Sequence, residues 1–254
     1  MNLYVFGEGK TEERLIKQLM AAIAPDVRMD FRQSEGRGRL VTTIVSSLGP
    51  ELEQPVCCLV LVDRDNGDSI DSIRERYKSS FQALLEERGF SSIVSFRALE
   101  ENENVLELVL NPPGSPDLRV ALHVAETPDS LRIHGFNNDT TDGYILAAAL
   151  TEPVLERFAK KAGIDSQRLS EKVAQEIPDL MKANGVRALD AKDLIAAYMA
   201  AARFLKVNRS EAEDTFAGIV VARAIRYARQ DFDRIVSSIV TAINVVVNEE
   251  DQRK

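Results

Sequence analysis

Tryptophan is absent from this 254-residue chain, cysteine and histidine occur twice each, and aromatic residues make up only 6% of it. Cys57 and Cys58 are adjacent inside an apolar run, where successive strand side chains point to opposite faces. They can therefore build neither a disulfide framework nor a zinc site, and read as two small buried apolar residues. The 13 Gly and 9 Pro are too few for a fibrous or low-complexity chain. No apolar run approaches the roughly 20 residues that span a bilayer. The opening MNLYVFGEGKTEE also lacks the basic region and apolar segment of a signal peptide, so the expected location is the cytoplasm. A basic excess is missing too, since 32 Lys and Arg face 40 Asp and Glu for a net charge of −8. A phosphate-rich ligand would have to be held by a local basic patch or through bound metal ions.

What the chain does have is 44% hydrophobic and 28% charged residues, enough for one or two globular domains. Its first half alternates apolar runs with helical patterns, as a mostly parallel sheet flanked by helices requires. Strands are expected at Leu3–Phe6, Val27–Phe31, Val56–Val62, Ile93–Ala98 and Val120–Ala125. Helices are expected at Thr11–Ile23, with Thr11 as N-cap, then Leu40–Leu48 and Ile70–Arg88. VCCLVLV at Val56–Val62 has the continuous apolar character of a central strand buried on both faces. From about residue 139 onward the periodicity is helical, at Ile145–Ala162, Ser166–Ala183, Ala191–Phe204 and Ser210–Val247. The expected division is an α/β domain over 1–135 and an all-helical subdomain over 139–254. The aliphatic stripe of the last helix is read as core or as a contact in a homo-oligomer.

Two acidic loops follow expected strands: Gly7-Glu8-Gly9 after the first and Asp63-Arg64-Asp65 after the strongest. In open α/β sheets ligands bind outside the carboxyl ends of the strands, and adjacent strands would bring Glu8, Asp63 and Asp65 together. Three clustered carboxylates raise one another's pKa unless a cation neutralises them. Hard oxygen ligands in an open cluster suit Mg²⁺ or Mn²⁺. Each motif alone is also ordinary turn chemistry; their joint occurrence on these strands carries the functional reading.

An apolar strand with Phe6-Gly7-Glu8-Gly9-Lys10-Thr11-Glu12, then a helix, then Leu61-Val62-Asp63-Arg64-Asp65, resembles a Toprim domain. The likeness is to the OLD-like and RloB-like bacterial branch and covers about residues 1–130. It implies a Toprim-like, Rossmann-like parallel sheet and a metal-dependent nuclease that cleaves phosphodiester bonds, in bacterial defence against phage or foreign DNA. Glu8 would be a metal ligand or general base, Asp63 and Asp65 metal ligands, and Glu12 the second acidic position of the first motif. Asp68 and Glu126 are candidates for a further ligand. Gly7 departs from the family pattern before the motif glutamate and suggests that the strand ends one residue early. By analogy with the branch, a separate ATPase partner would serve the chain. In such a site two cations about 4 Å apart activate water and stabilise the leaving oxygen.

Alternatives remain open. The same scaffold without turnover would bind a nucleotide, nucleic acid or partner protein. A degenerate P-loop would use Gly9-Lys10-Thr11, but Tyr4 occupies the position of its first glycine. For substrate phosphates the candidates are Lys10, Arg32, Arg37 and Arg39, where glycines let the backbone approach and guanidiniums can fork onto oxygens. Arg223, Arg226 and Arg229 with Lys206 and Arg209 read as a solvated helix face or a second basic surface. His123 and His134 read as polar or core fillers, with a catalytic role as the alternative. Asn137–Asp142 reads as a helix cap.

Overall fold

The computed structural model describes residues 2–34, 39–64, 68–132, 139–185, 190–202 and 209–247. The strands are β1 (Asn2–Gly7), β2 (Arg28–Gln33), β3 (Val56–Val62), β4 (Ile93–Leu99), β5 (Asn102–Asn111) and β6 (Leu118–Val124). The helices of the first half are α1 (Lys10–Ile23), α2 (Leu40–Leu48) and α3 (Ile70–Glu87). Those that follow are α4 (Asp129–Arg132), α5 (Thr141–Ala149), α6 (Glu152–Ala162), α7 (Ser166–Glu171), α8 (Ile177–Ala183), α9 (Ala191–Ala201), α10 (Arg209–Tyr227), α11 (Arg229–Ile235) and α12 (Ser237–Val247). Among the described residues no helix is long and apolar enough to cross a membrane.

The chain forms two units, one of residues 1–125 with 237–254 and one of residues 126–236. The expected helical subdomain over 139–254 thus loses its last helix to the first unit. The reason lies in the apolar stripe of α12, whose Ile239, Ala242, Ile243 and Val246 are buried where the helix packs on β6, β5 and β3.

In the first unit a six-stranded sheet runs β2-β1-β3-β6-β5-β4. β2, β1, β3 and β6 are parallel, whereas β5 pairs antiparallel with both β6 and β4. The sheet is therefore mixed rather than parallel throughout. β5 is the unexpected strand, although its Leu106, Leu108 and Leu110 recur at period two and are buried while Val109 between them is exposed. A short acidic turn at Glu100-Glu101 closes the β4–β5 hairpin. β3 is buried along its whole length, as its unbroken apolar run requires. One sheet face, including Phe6, Cys58, Val60, Leu106 and Leu122, packs against Leu40, Ile44 and Leu48 of α2 and Tyr77, Phe81 and Leu85 of α3. Leu3, Val5 and Leu59 alternate onto the other face and are equally buried.

In the second unit α5 is buried on every side from Gly143 to Ala149, as a helix with no polar face must be. α9, α10 and α11 pack around it. Tyr198 Oη donates to the carbonyl of Ala149 at 3.0 Å, satisfying one of the acceptors a helix C-terminus leaves without an internal partner. Phe158, Tyr198 and Phe216 form an aromatic cluster with ring centroids 5.3 to 5.5 Å apart.

Three of the long expected helices are interrupted. Ile145–Ala162 breaks at Thr151, because in a continuous helix Pro153 would have no N–H for the Ala149 carbonyl and its ring would meet that carbonyl, whereas it fits the first turn of a new helix, α6. Ser166–Ala183 widens into a π-turn at Lys172–Glu176, just before Pro178, whose ring would meet the carbonyl four residues back in a regular helix. Ser210–Val247 breaks at Ala228 and Val236, where the backbone leaves helical geometry.

Candidate functional site

β1 connects through α1 to β2 on one side, and β2 returns through α2 to β3 on the other. Right-handed crossovers therefore place α1 and α2 on opposite faces of the sheet, and the chain reverses direction between β1 and β3. Such a switch point leaves a crevice outside the carboxyl ends of the two strands. Phe6 is level with Val60, so Glu8 and Asp63 leave neighbouring strands at nearly the same height.

Gly7 remains within β1, paired with Gln33 of β2, so the strand runs one residue beyond the expected end. Helix α1 begins at Lys10 with Gly9 as its N-cap, in place of Thr11, and carries Glu12 and Glu13 in its first turn. There the helix dipole favours negative charge. Glu12 is buried and folds back along the turn. A Cβ on Gly7 would lie 3.1 Å from Glu12 Cβ, and one on Gly9 would lie 3.3 Å from Glu12 Oε2. The two glycines thus make room for the Glu12 carboxylate beneath the loop that presents Glu8. Glu8 is partly exposed with its Oε1 shielded from solvent, and Asp63 is partly exposed at the end of β3.

Ser34 is a neighbour that sequence reasoning missed. It is 1% exposed, and its N–H donates to the carbonyl of Gly7 at 2.9 Å, tying the end of β2 to the Glu8 turn. Its only sequence signal is a small polar residue just after an expected strand.

The other candidates are dispersed. Asp65 and Arg37 lie outside the described residues, as do His134 and Lys206. Asp68 pairs with Arg76 at 3.3 Å beside Ser69, which caps α3 through reciprocal 3.1 Å bonds with Ser72. Lys10 is exposed at the start of α1 and Arg39 just before α2. Arg32 is exposed and is held by Asp30 at 2.6 and 3.0 Å. Glu126 belongs to the second unit, where its carboxylate binds Arg132 and its N–H donates to Tyr144 Oη at 3.1 Å.

His123 is fully buried on β6, with Nε2 3.0 Å from Ser238 Oγ of α12. Burial lowers its pKa to about 3, so it is a neutral core residue. Asp139 is buried and accepts from both the N–H and the Oγ1 of Thr127 at 2.8 Å. It links Thr127 to the residues just before α5, and α5 starts after Thr140 without a side-chain cap.

Tyr4 sits inside β1 and only Glu8 and Gly9 separate the strand from α1, too short a loop to wrap phosphates in the P-loop manner. Among the described residues no three His, Cys, Asp or Glu side chains form a group able to hold a metal ion. Compared with known proteins, the chain matches no family model, no curated protein and no solved structure.

Proposed function

We propose that the chain is a metal-dependent nuclease of Toprim type that hydrolyses phosphodiester bonds in nucleic acid. The observation that carries this reading is the exit of Glu8 and Asp63 from the adjacent parallel strands β1 and β3 at the switch point of the sheet. Their oxygens are the hard donors that a Mg²⁺ or Mn²⁺ ion prefers, and they would hold the metal together with Asp65. When bound, the ion would neutralise phosphate charge and lower the pKa of a coordinated water.

The chain's own residues supply the positioning. Glu12 packs under the turn and fixes the direction in which Glu8 leaves β1, while Ser34 anchors that turn from β2. Lys10, exposed at the first position of α1, would contact a substrate phosphate as a flexible point charge.

The test is cleavage of labelled single- and double-stranded DNA and RNA by the full chain with Mg²⁺, Mn²⁺ or EDTA, set against Glu8→Gln and Asp63→Asn. Cutting that requires metal and disappears in both variants supports the reading. A folded protein that cuts nothing under any of these conditions overturns it, and retained binding without cutting would mark a scaffold that no longer turns over.

A further inference from the structure

The helical unit carries a group of cations that the carboxylate loops do not use. Helices α6 and α10 pack together, and Arg157, Lys160, Arg223, Arg226 and Tyr227 line a cavity of about 430 Å³ between them. That volume falls in the ~300–1,000 Å³ range of small-ligand pockets. Four positive charges converge here in a chain whose net charge is −8.

Several other basic residues of this unit are matched by acids. Arg229 bonds Asp233 at 2.8 Å, Arg234 lies 3.6 Å from Asp231, and Arg168 binds Glu171 and Glu176. Among the described residues no carboxylate forms an ion pair with Arg157, Lys160, Arg223 or Arg226.

Aromatic faces hold the guanidiniums instead. Arg157 Cζ lies 3.3 Å from the Tyr227 ring centroid and Arg226 Cζ 5.1 Å from it. Arg223 Cζ lies 4.2 Å over Phe158, which belongs to the aromatic cluster and is rigidly packed. Stacking restrains the planar heads while leaving their edge N–H donors available. Arg223 Nη1 is buried without a hydrogen-bond partner, a costly state for a charged donor. Burial, together with the neighbouring Arg157 charge, pushes its guanidinium below the ordinary arginine range. An oxyanion in the cavity would relieve the repulsion among the cations and bind the guanidinium edges that face it.

We propose that this cavity binds a phosphate group, carried by a mononucleotide or by a nucleic-acid strand, with Arg157, Arg223 and Arg226 as its donors. A tetrahedral oxyanion offers several acceptors that guanidinium forks engage in pairs. The proposal is independent of the nuclease reading, since it uses other residues in the other unit.

The test is titration of the full chain with inorganic phosphate and AMP by calorimetry. It is paired with fluorescence anisotropy of a single-stranded 12-mer labelled at its 3′ end, with either a 5′-phosphate or a 5′-hydroxyl. Arg157→Gln/Arg226→Gln removes two exposed donors, Arg223→Lys keeps charge but loses the fork, and Arg229→Gln controls for overall charge. We expect saturable binding that weakens at least tenfold in the double variant, weakens in Arg223→Lys, and is unchanged in Arg229→Gln. AMP binding with no preference for the oligonucleotide identifies a small-molecule phosphate, whereas tighter binding of either 12-mer identifies a strand. No binding of any probe, equal binding by the double variant, or an equal loss in Arg229→Gln overturns the proposal.

Discussion

A side chain at position 7 would press on Glu12: a Cβ on Gly7 falls 3.1 Å from Glu12 Cβ and 3.0 Å from Phe31 Cζ. Gly7 is thus a spacing residue, where β1 must pass close beneath a carboxylate that the start of α1 folds back over it. Gly7→Ala is expected to cost about 1–3 kcal/mol, the usual range for overpacking. Urea unfolding of the variant against the parent measures it, and an unchanged midpoint would mean that Glu12 and Phe31 move aside freely.

Glu8 and Asp63 are partly exposed just beyond the ends of their strands, so removing their charge should separate function from folding. Glu8→Gln and Asp63→Asn are expected to change stability by less than about 1 kcal/mol, as partly exposed substitutions do. Metal-dependent cleavage is expected to fall by about 10²-fold or more, a loss of some 3 kcal/mol of transition-state stabilisation. Thermal unfolding and cleavage rates on the same preparations check both halves.

The parallel part of the sheet was legible because β1, β3 and β6 each carry a run of apolar residues that only a buried strand needs. α2 was legible to the residue because Leu40, Ile44 and Leu48 recur at helical spacing. β5 escaped because its leucines alternate with Glu107 and Val109 in a stretch opening with acidic residues and asparagines, and antiparallel pairing depends on a partner that local pattern does not specify. The fate of α12 was illegible for the same kind of reason. An aliphatic stripe shows that a helix is buried, not which surface buries it. At the site, the positions of Glu8 and Asp63 followed from strand ends, whereas the roles of Ser34 and Gly7 depend on close approach in space. The basic cavity of α6 and α10 was half legible, since Arg223 and Arg226 share a helix face but Arg157 comes from a different helix.

His123 predicts the pH dependence of stability. Its native pKa of about 3 lies below the 6.5 of an unfolded histidine, so between these values the unfolded chain binds the extra proton. Stability therefore rises with pH across that window, and acidification below 6.5 costs about 1.4 kcal/mol per pH unit from this residue. His123→Leu also leaves the Ser238 hydroxyl without its partner, so the variant should be less stable at pH 7. Its loss of stability between pH 6.5 and 4 should nevertheless be shallower than the parent's. Parallel slopes in urea unfolding at stepped pH would show that His123 is not the titrating group.

Asp139, the first residue of its described segment, is joined to Thr127 of the preceding described segment by two hydrogen bonds. Oδ1 accepts from both the N–H and the Oγ1 of Thr127, each at 2.8 Å, with both residues buried. Hydrogen bonds to a charged acceptor are worth about 1.5–3 kcal/mol, and a donor left unpaired in the interior adds its own desolvation cost. Asp139→Ala is therefore expected to destabilise the chain by about 2–4 kcal/mol. Asp139→Asn keeps an acceptor in place and should recover part of that loss. Thr127→Val removes only the hydroxyl donor and should cost less than Asp139→Ala, because the backbone N–H keeps its partner. Chemical denaturation of the three variants ranks them, and a Thr127→Val loss equal to that of Asp139→Ala would show that the backbone bond contributes nothing.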